Sequence, residues 1–300
     1  MGGAAKEGGE ESFAQALARA QEKFKEAGID RPRLEAEVLL SFVTGLTRAQ
    51  VLARPGELLE PKVADAFWRM VERRAQGYPL QYLTGRQEFM GLNFKVTPQV
   101  LIPRHDTEVL VETILDRVDK GRPWMAADVG TGSGAIAVSL AYYLPQAFIY
   151  ALDISPEALE VARANAQDLG VADRILFLKG DLLEPLLKGQ GCKGEMLDAV
   201  VANLPYIPTG ELDDLPKEVR HEPRLALDGG KSGLEVVARL LPQAAAILKP
   251  GGWLALEIGW DQGEKVKELV RSLGVFAGDE IICDYGGRPR CFLARKVEVL

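Results

Sequence analysis

The chain has 300 residues, a formal net charge of −7 at pH 7, 47% hydrophobic residues and 26% charged ones. This length predicts about two domains, and no apolar run approaches the roughly 18 residues that a membrane span needs. The acidic balance argues against long nucleic acids as the main partner, and the three well-separated cysteines, Cys192, Cys283 and Cys291, support neither a disulfide framework nor a Cys-x-x-Cys zinc site.

Residues 1–80 predict a small helical domain. Residues 1–11 are rich in glycine and glutamate, so we expect disorder, and they lack the apolar core of a signal peptide, so we expect a cytoplasmic protein. Apolar residues then recur at helical spacing from Ser12 to Gly28, from Asp30 as N-cap to Phe42 on the buried face, after Thr47, and from Pro61 to Gly77.

The charge of this first domain is balanced. Residues 1–80 contain twelve basic and twelve acidic side chains. This favours a packing or partner-docking module over a nucleic-acid-binding arm.

Residues 81–104 differ in character from the helical domain. Glycine and proline separate short apolar stretches, which predicts a linker that carries a β-hairpin. A helix capped by Asp106 or Thr107 should follow and end before Gly121. Arg104, just before this helix, has two interpretations: a ligand contact or an ordinary ion-paired loop residue.

Residues 105–300 alternate short apolar runs with helical patterns. Strands are predicted at 125–129, 147–153, 175–178, 196–202 and 253–258, with two terminal strands near 280 and 291–297. Such alternation predicts an α/β fold with a Rossmann-like, doubly wound sheet.

A glycine-rich turn follows the first of these strands, and an acid ends the second strand about twenty residues later. The turn allows the backbone to pass close to a ligand, Asp153 suits ribose hydroxyls, and Asp181 with Leu182 after the third strand suits an adenine. With Ala135 the turn also satisfies the dinucleotide pattern, so NAD stays open, as does a plain loop-capping role for both acids. The predicted cofactor site comprises Gly130, Thr131, Gly132, Ser133, Gly134, Asp153, Asp181, Leu182 and Asn203.

The fourth strand ends in Asn203-Leu204-Pro205-Tyr206. To methylate a planar nitrogen, a site must hold its N–H bonds in front of an electrophilic methyl group. The Asn203 side-chain carbonyl and the Leu204 backbone carbonyl can accept two N–H bonds, Pro205 stiffens the turn, and Tyr206 offers a stacking face. We therefore predict these four residues as the catalytic set of a methyltransferase, against the plainer reading of an ordinary strand-to-loop turn.

Seven further segments stand out, several of them outside the cofactor fold. They are Arg33-Leu-Glu-Ala-Glu-Val-Leu-Leu40, Gly77-Tyr-Pro-Leu-Gln-Tyr82, Gly85-Arg-Gln-Glu-Phe-Met-Gly91, Leu101-Ile-Pro-Arg-His-Asp-Thr-Glu108, residues 128–137, Glu222-Pro-Arg-Leu-Ala-Leu-Asp-Gly-Gly230 and Glu257-Ile-Gly259. In these segments the chain resembles the peptide chain release factor glutamine methyltransferases over about 30–290. The resemblance implies S-adenosylmethionine as cofactor and, as substrate, the glutamine of the Gly-Gly-Gln motif in class I release factors, with the helical domain helping to dock them. We expect no membrane partner, no direct nucleic-acid partner and a monomer.

Two positions depart from that family. Leu204 stands where the family usually has proline, and Asn-Leu-Pro-Tyr is typical of ribosomal RNA adenine dimethylases. An adenine-N6 methyltransferase acting on RNA or DNA is therefore the main alternative, ahead of a nicotinamide enzyme and a non-catalytic binding module. His105-Asp106 replaces the more usual Pro-Glu. His221 is interpreted as a surface histidine rather than a base.

Overall fold

The computed structural model describes residues 11–189 and 196–297. The disorder predicted for the first residues and the position of Cys192 lie outside these ranges. The chain forms two compact units, the first ending at Thr84 and the second beginning at Gly85.

The first unit is helical. Ser12 and Gln15 begin its first helix with a reciprocal capping box, and Gly45 ends the second in a left-handed conformation. The core is made of apolar side chains from one stripe of each long helix, among them Phe24, Leu39 and Phe67. The helices are α1 (Phe13–Glu26), α2 (Pro32–Thr44), α3 (Arg48–Leu52), α4 (Pro61–Ala75) and α5 (Leu80–Thr84).

Two details of the prediction for this unit are wrong. The N-cap of α2 is Arg31, not Asp30, because Pro32 occupies the first helical position and sets the start one residue later. Phe42, predicted to face inward, is 47% exposed, since the buried stripe of α2 runs through Ala36, Leu39 and Leu40 instead.

The second unit contains a β-hairpin and a seven-stranded sheet in the order β5-β4-β3-β6-β7-β9-β8. The sheet is parallel from β5 to β7, and β9 and β8 add antiparallel strands at one side. The strands are β1 (Arg86–Phe89) and β2 (Leu92–Lys95) in the hairpin, then β3 (Trp124–Val129), β4 (Ala147–Asp153), β5 (Ile175–Lys179), β6 (Leu197–Ala202), β7 (Leu248–Glu257), β8 (Phe276–Cys283) and β9 (Pro289–Lys296).

Helices cover both faces of this sheet and bury one apolar cluster on each side. The central strands are buried on both faces, which explains their continuous runs of alanine, valine and leucine. The helices are α6 (His105–Leu115), α7 (Ala135–Tyr143), α8 (Pro156–Asp168), α9 (Glu184–Leu187), α10 (Glu235–Ile247) and α11 (Gly263–Ser272).

The strand order reverses between β3 and β6, which are neighbours in the sheet although β4 and β5 separate them in sequence. Open α/β sheets bind their ligands at the carboxyl ends of the strands flanking such a switch point. The glycine-rich turn follows β3 and Asn203 follows β6, so the two predicted motifs meet there.

Helix α6 begins earlier than predicted. Its N-cap is Arg104, so Asp106 and Thr107 lie inside the first turn rather than capping it. The Thr107 side chain is thereby released for a long-range hydrogen bond, described below. Within the described residues, no helix is both long and apolar enough to cross a bilayer.

Candidate active site

The glycine-rich turn is folded tightly against β4. The backbone N–H groups of Gly130 and Thr131 both donate to the Leu152 carbonyl, at 2.8 and 2.9 Å. Gly134 has a φ of +81°, and a Cβ on it would lie 3.0 Å from the Cβ of Ala162 on α8. Glycine is therefore required at that position both by backbone conformation and by the close approach of a helix.

Asp153 holds the same turn from the side. One carboxylate oxygen accepts from the Gly132 N–H and the other from the Ser155 N–H, each at 2.9 Å. Burial raises the pKa of Asp153, and the hydrogen bonds from Ser155 and Gly132 counter part of that effect. Each oxygen keeps a second acceptor position, so the carboxylate can also receive hydroxyl groups of a ligand.

Asp128 anchors the turn from below. One of its oxygens accepts from the Thr131 hydroxyl at 2.6 Å and from the Ala137 N–H at 2.9 Å, which ties the turn to the first residues of α7. Full burial raises the pKa of Asp128 to about 7 in spite of these bonds.

A cavity of about 290 Å³ opens above the turn. Of the predicted cofactor residues, Gly134 is instead packed against α8. The lining includes Gly130, Thr131, Gly132, Ser133, Asp153, Asp181, Leu182, Asn203, Leu204 and Pro205, and, among residues that the sequence did not single out, Thr107, Ile154, Leu225 and Arg239.

Asp181 lies at the wall of this cavity and forms an ion pair with Arg239 of α10. Both side chains are partly exposed, so this pair is screened by solvent. The predicted contact with an adenine amine would therefore use the acceptor positions that Arg239 leaves on the Asp181 carboxylate.

The tetrapeptide lies between this cavity and a second one. Asn203 Nδ2 donates to the Thr107 hydroxyl oxygen at 3.1 Å. Leu204 is buried, and its side chain lies 3.0 Å from where a Cβ on Gly130 would be. Pro205 lines the first cavity, and the backbone carbonyl of Tyr206 accepts from the Gln262 side chain at 2.9 Å.

Glu257, at the end of β7, connects two of these residues. It accepts from the Thr107 hydroxyl at 2.6 Å and from the Tyr206 hydroxyl at 3.3 Å. The Tyr206 oxygen in turn accepts from Arg290 at 3.4 Å. Burial raises the pKa of Glu257 to about 7, and burial with the nearby Glu257 charge raises the pKa of Tyr206, which therefore stays a neutral phenol.

The second cavity measures about 210 Å³ and shares Leu101, Asn203 and Ala226 with the first. Arg104, Tyr206 and Glu257 provide polar groups in its lining, and Leu215 and Leu227 provide apolar ones. Asn203 therefore lines both cavities.

Comparisons with known proteins identify the chain's family. A family model described as "PrmC N-terminal domain" matches residues 15–85, and one described as "Methyltransferase domain" matches residues 126–274. A release factor glutamine methyltransferase of Moorella thermoacetica is 57% identical over 95% of this chain and 98% of its own length. The chain belongs to the release factor glutamine methyltransferase family. A relative of the same name from Geobacter sulfurreducens is 45% identical over 84% of each chain.

Solved structures agree on the fold. The hMettl16 catalytic domain, solved in complex with a MAT2A 3′UTR hairpin, superposes with a TM-score of 0.54 at 18% identity over 81% of this chain and 83% of that one. At this identity the likeness shows the methyltransferase fold alone.

The motifs at 101–108 and 222–230 of this glutamine methyltransferase are far apart in sequence but come together beside the second cavity. Glu222 is buried, forms an ion pair with Arg104, and accepts from the Ile102 N–H at 3.1 Å. The ion-paired interpretation of Arg104 is therefore confirmed, and its side chain lines the cavity as well. Asp106, in the segment that departs from the family, pairs with Arg290 at 3.2 Å. His221 is exposed and lines neither cavity.

Among the residues that sequence reasoning did not assign to this methyltransferase site are Thr107, Arg239 and Arg290. Thr107 was interpreted as a cap, and the two arginines lie on elements 30 to 90 residues beyond the tetrapeptide. The Glu257-Ile-Gly259 motif marks the carboxylate at the centre of this network. Its carboxylate ends a buried strand, where an unpaired charge would be costly.

Proposed function

We propose that this chain transfers a methyl group from S-adenosylmethionine to the side-chain amide nitrogen of the glutamine in the Gly-Gly-Gln motif of class I peptide chain release factors. The observation that supports it most is the position of Asn203 in the wall of both cavities, next to the glycine-rich turn on one side and to Tyr206 and Glu257 on the other. The family's name supplies the identity of the acceptor.

The first cavity suits the cofactor. Its glycine-rich turn leaves room for a ligand to approach the backbone, Asp153 retains acceptor positions for ribose hydroxyls, and Ile154, Leu182 and Leu225 provide apolar surface for a purine. When bound, S-adenosylmethionine supplies an electrophilic methyl group. The residues proposed to hold it are those predicted from the sequence except Gly134, with Ile154, Leu225 and Arg239 as additions.

The second cavity suits the glutamine side chain. In the proposed arrangement the Asn203 side-chain oxygen accepts one amide N–H and the Leu204 backbone carbonyl accepts the other, while the ring of Tyr206 packs on the amide plane. Leucine at position 204 keeps the backbone acceptor that proline would supply. Two acceptors also draw electron density toward the amide nitrogen, which makes it a better nucleophile.

Catalysis then rests on positioning and electrostatics. Good orientation of two reactants contributes on the order of 7–11 kcal/mol to lowering a barrier. No strong base is needed, because the nitrogen becomes cationic on methylation and loses its extra proton to water. Tyr206 remains a hydrogen-bonded phenol, and the two oxygens of Glu257 are engaged by Thr107 and Tyr206, so we assign the proton to neither of them.

We further propose that the helical unit docks the release factor, that the enzyme works as a monomer, and that it acts in the cytoplasm, where translation terminates. Docking predicts that amide hydrogen exchange in 11–84 slows when a release factor is added. A monomer predicts elution in gel filtration at the mass of one 32.7 kDa chain.

The test is a parallel incubation with labelled S-adenosylmethionine and either a purified bacterial release factor or ribosomal RNA, followed by mass spectrometry. One added methyl group on the Gly-Gly-Gln glutamine is the expected result. Label in the RNA alone would instead support the adenine reading that Leu204 suggests. A chain that binds NAD but not S-adenosylmethionine would favour a nicotinamide enzyme. An Asn203→Ala variant that keeps its full role in the cell would favour a non-catalytic binding module.

A further inference from the structure

We propose that Glu257 is a positioning residue that determines which end of the Asn203 amide faces the acceptor, through a one-way chain of hydrogen bonds that passes through Thr107. The inference rests on the proposed function, because it concerns how the acceptor's amide is held. It assigns a role to Thr107 and Glu257, neither of which is itself a predicted contact of the substrate amide, although each is hydrogen-bonded to a residue that is.

The direction of the chain follows from counting protons. A carboxylate has no proton to give, so the Thr107 hydroxyl donates its single proton to Glu257 over 2.6 Å. The Thr107 oxygen is then left only as an acceptor. The group of Asn203 that meets it, at 3.1 Å, must therefore be the NH₂ end of the amide. The amide oxygen of Asn203 remains for an N–H of the acceptor.

The other oxygen of Glu257 positions Tyr206, whose ring is the predicted stacking surface for the substrate amide. It accepts from the Tyr206 hydroxyl, whose oxygen accepts from Arg290. Arg290 is held in turn by Asp106 and Asp284. A single carboxylate that is 3% exposed therefore orients both the amide of the tetrapeptide and its aromatic ring. A buried carboxylate with both oxygens engaged has few ways to rearrange.

Glu257→Gln reverses this chain with little change in shape. The glutamine carbonyl stays toward Tyr206, because Arg290 already donates to the tyrosine oxygen and a second donor there would leave the phenol proton without an acceptor. The glutamine NH₂ then donates to Thr107. The hydroxyl of Thr107 must donate onward to residue 203, so Asn203 turns its oxygen to Thr107 and its NH₂ to the acceptor.

The state of Glu257 should also show in the pH profile. Burial raises its pKa to about 7, whereas the pKa values of Tyr206 and Cys291 beside it are raised well above that range, and Arg290 stays charged. Asp106 adds negative charge from α6, and Arg104 faces Tyr206 from the preceding loop. Below pH 7 Glu257 carries a proton, so the Thr107 hydroxyl is no longer compelled to donate to it and the orientation of the Asn203 amide is no longer fixed. We therefore expect kcat of the wild-type enzyme to fall below pH 7. The Glu257→Gln variant should lack this inflection.

The experiment uses the full chain, a purified class I release factor and S-adenosylmethionine. Removing one preorganised contact to a reacting group costs about 10²–10³ in kcat, and we expect a loss of this size for Glu257→Gln with a change in cofactor Kd, measured by calorimetry, of less than about threefold. Glu112→Gln is the matched control. Glu112 also accepts from a tyrosine hydroxyl, that of Tyr285 at 2.6 Å, but on the surface, so kcat should not change.

A second substitution distinguishes a reversed Asn203 amide from a general disruption of the site. In the Glu257→Gln background, Asn203→Asp places a carboxylate oxygen opposite the Thr107 hydroxyl, which now donates. The second carboxylate oxygen remains to accept the N–H of the substrate glutamine. We expect this double variant to be at least about tenfold more active than Glu257→Gln alone, while Asn203→Asp in the wild-type background loses activity because two acceptors face each other. If Glu257→Gln does not fold, Thr107→Val against Thr107→Ser provides the same comparison, since only serine keeps the hydroxyl.

The possible failures are separable. Wild-type enzyme that leaves the release factor unmethylated overturns the proposed function and this inference with it. Wild-type enzyme that is active, with Glu257→Gln or Thr107→Val equally active, overturns the inference alone. Losses that simply add in the double variant, with no rescue, also overturn it.

Discussion

Ionisation of Glu257 should destabilise the folded protein, so Glu257→Gln should raise stability while it lowers activity. The folded-state pKa of this carboxyl is about 7, against an ordinary value of 4.5. Between those values the folded state binds more protons than the unfolded state, so the free energy of unfolding falls as pH rises through this window. Above pH 7 the full penalty is present, and below pH 4.5 it is absent.

The size of the effect follows from that shift. Raising the pKa of this carboxyl from 4.5 to about 7 corresponds to roughly 3 kcal/mol, as an upper bound. Glutamine is uncharged at every pH and so avoids this penalty, but its NH₂ must reverse the hydrogen bond with Thr107, and we take that rearrangement to offset about 1 kcal/mol at either pH. We therefore expect Glu257→Gln to be more stable than wild type by about 2 kcal/mol at pH 8, and by almost nothing at pH 5.

Thermal unfolding at the two pH values is the assay. For a unit of this size, 2 kcal/mol corresponds to an increase in Tm of about 4–8 °C at pH 8. Asp128 also has a pKa raised to about 7, but its contribution is common to both proteins and cancels in the difference. Glu112→Gln, at an exposed position, should leave Tm unchanged at both values. A Glu257→Gln variant that is less stable at pH 8, or equally changed at pH 5 and pH 8, would refute this account of the buried carboxyl.

Three further substitutions test the separate parts of the site. Asn203→Ala removes one acceptor for the substrate amide and leaves the glycine turn intact, so kcat should fall by about 10²–10³ with cofactor Kd nearly unchanged in calorimetry; loss of cofactor affinity alone would contradict its placement. Asp153→Ala removes the acceptor for the N–H of Gly132 in the turn and for that of Ser155, so cofactor Kd should rise while kcat at saturating cofactor changes much less. Gly134→Ala combines a φ of +81° with a Cβ 3.0 Å from Ala162, and it should lower Tm more than Gly170→Ala, which has a φ of +70° and open space around it; equal losses would mean that close packing at Gly134 contributes nothing.

Local patterns were sufficient for most of the fold. The central strands appear in the sequence as short, continuous apolar runs because both faces of the sheet are covered, and the glycine turn is marked by residues that a left-handed backbone requires. Two of the errors occur at helix starts, and a third is the predicted burial of Phe42. Asp30 and Asp106 have the chemistry of an N-cap, but the first-turn proline moved the start of α2 one residue later, and α6 begins at His105 without a side-chain cap.

The sequence by itself determined the order of the elements, the two motifs that meet at the switch point, and the family to which the chain belongs. Only the tertiary structure decided that Thr107, Tyr206 and Arg290 converge on Glu257, and that Arg239 pairs with Asp181. The physical reason is that hydrogen bonds among buried side chains join residues 50 to 150 positions apart, and their formation depends on how helices and strands pack rather than on any local pattern.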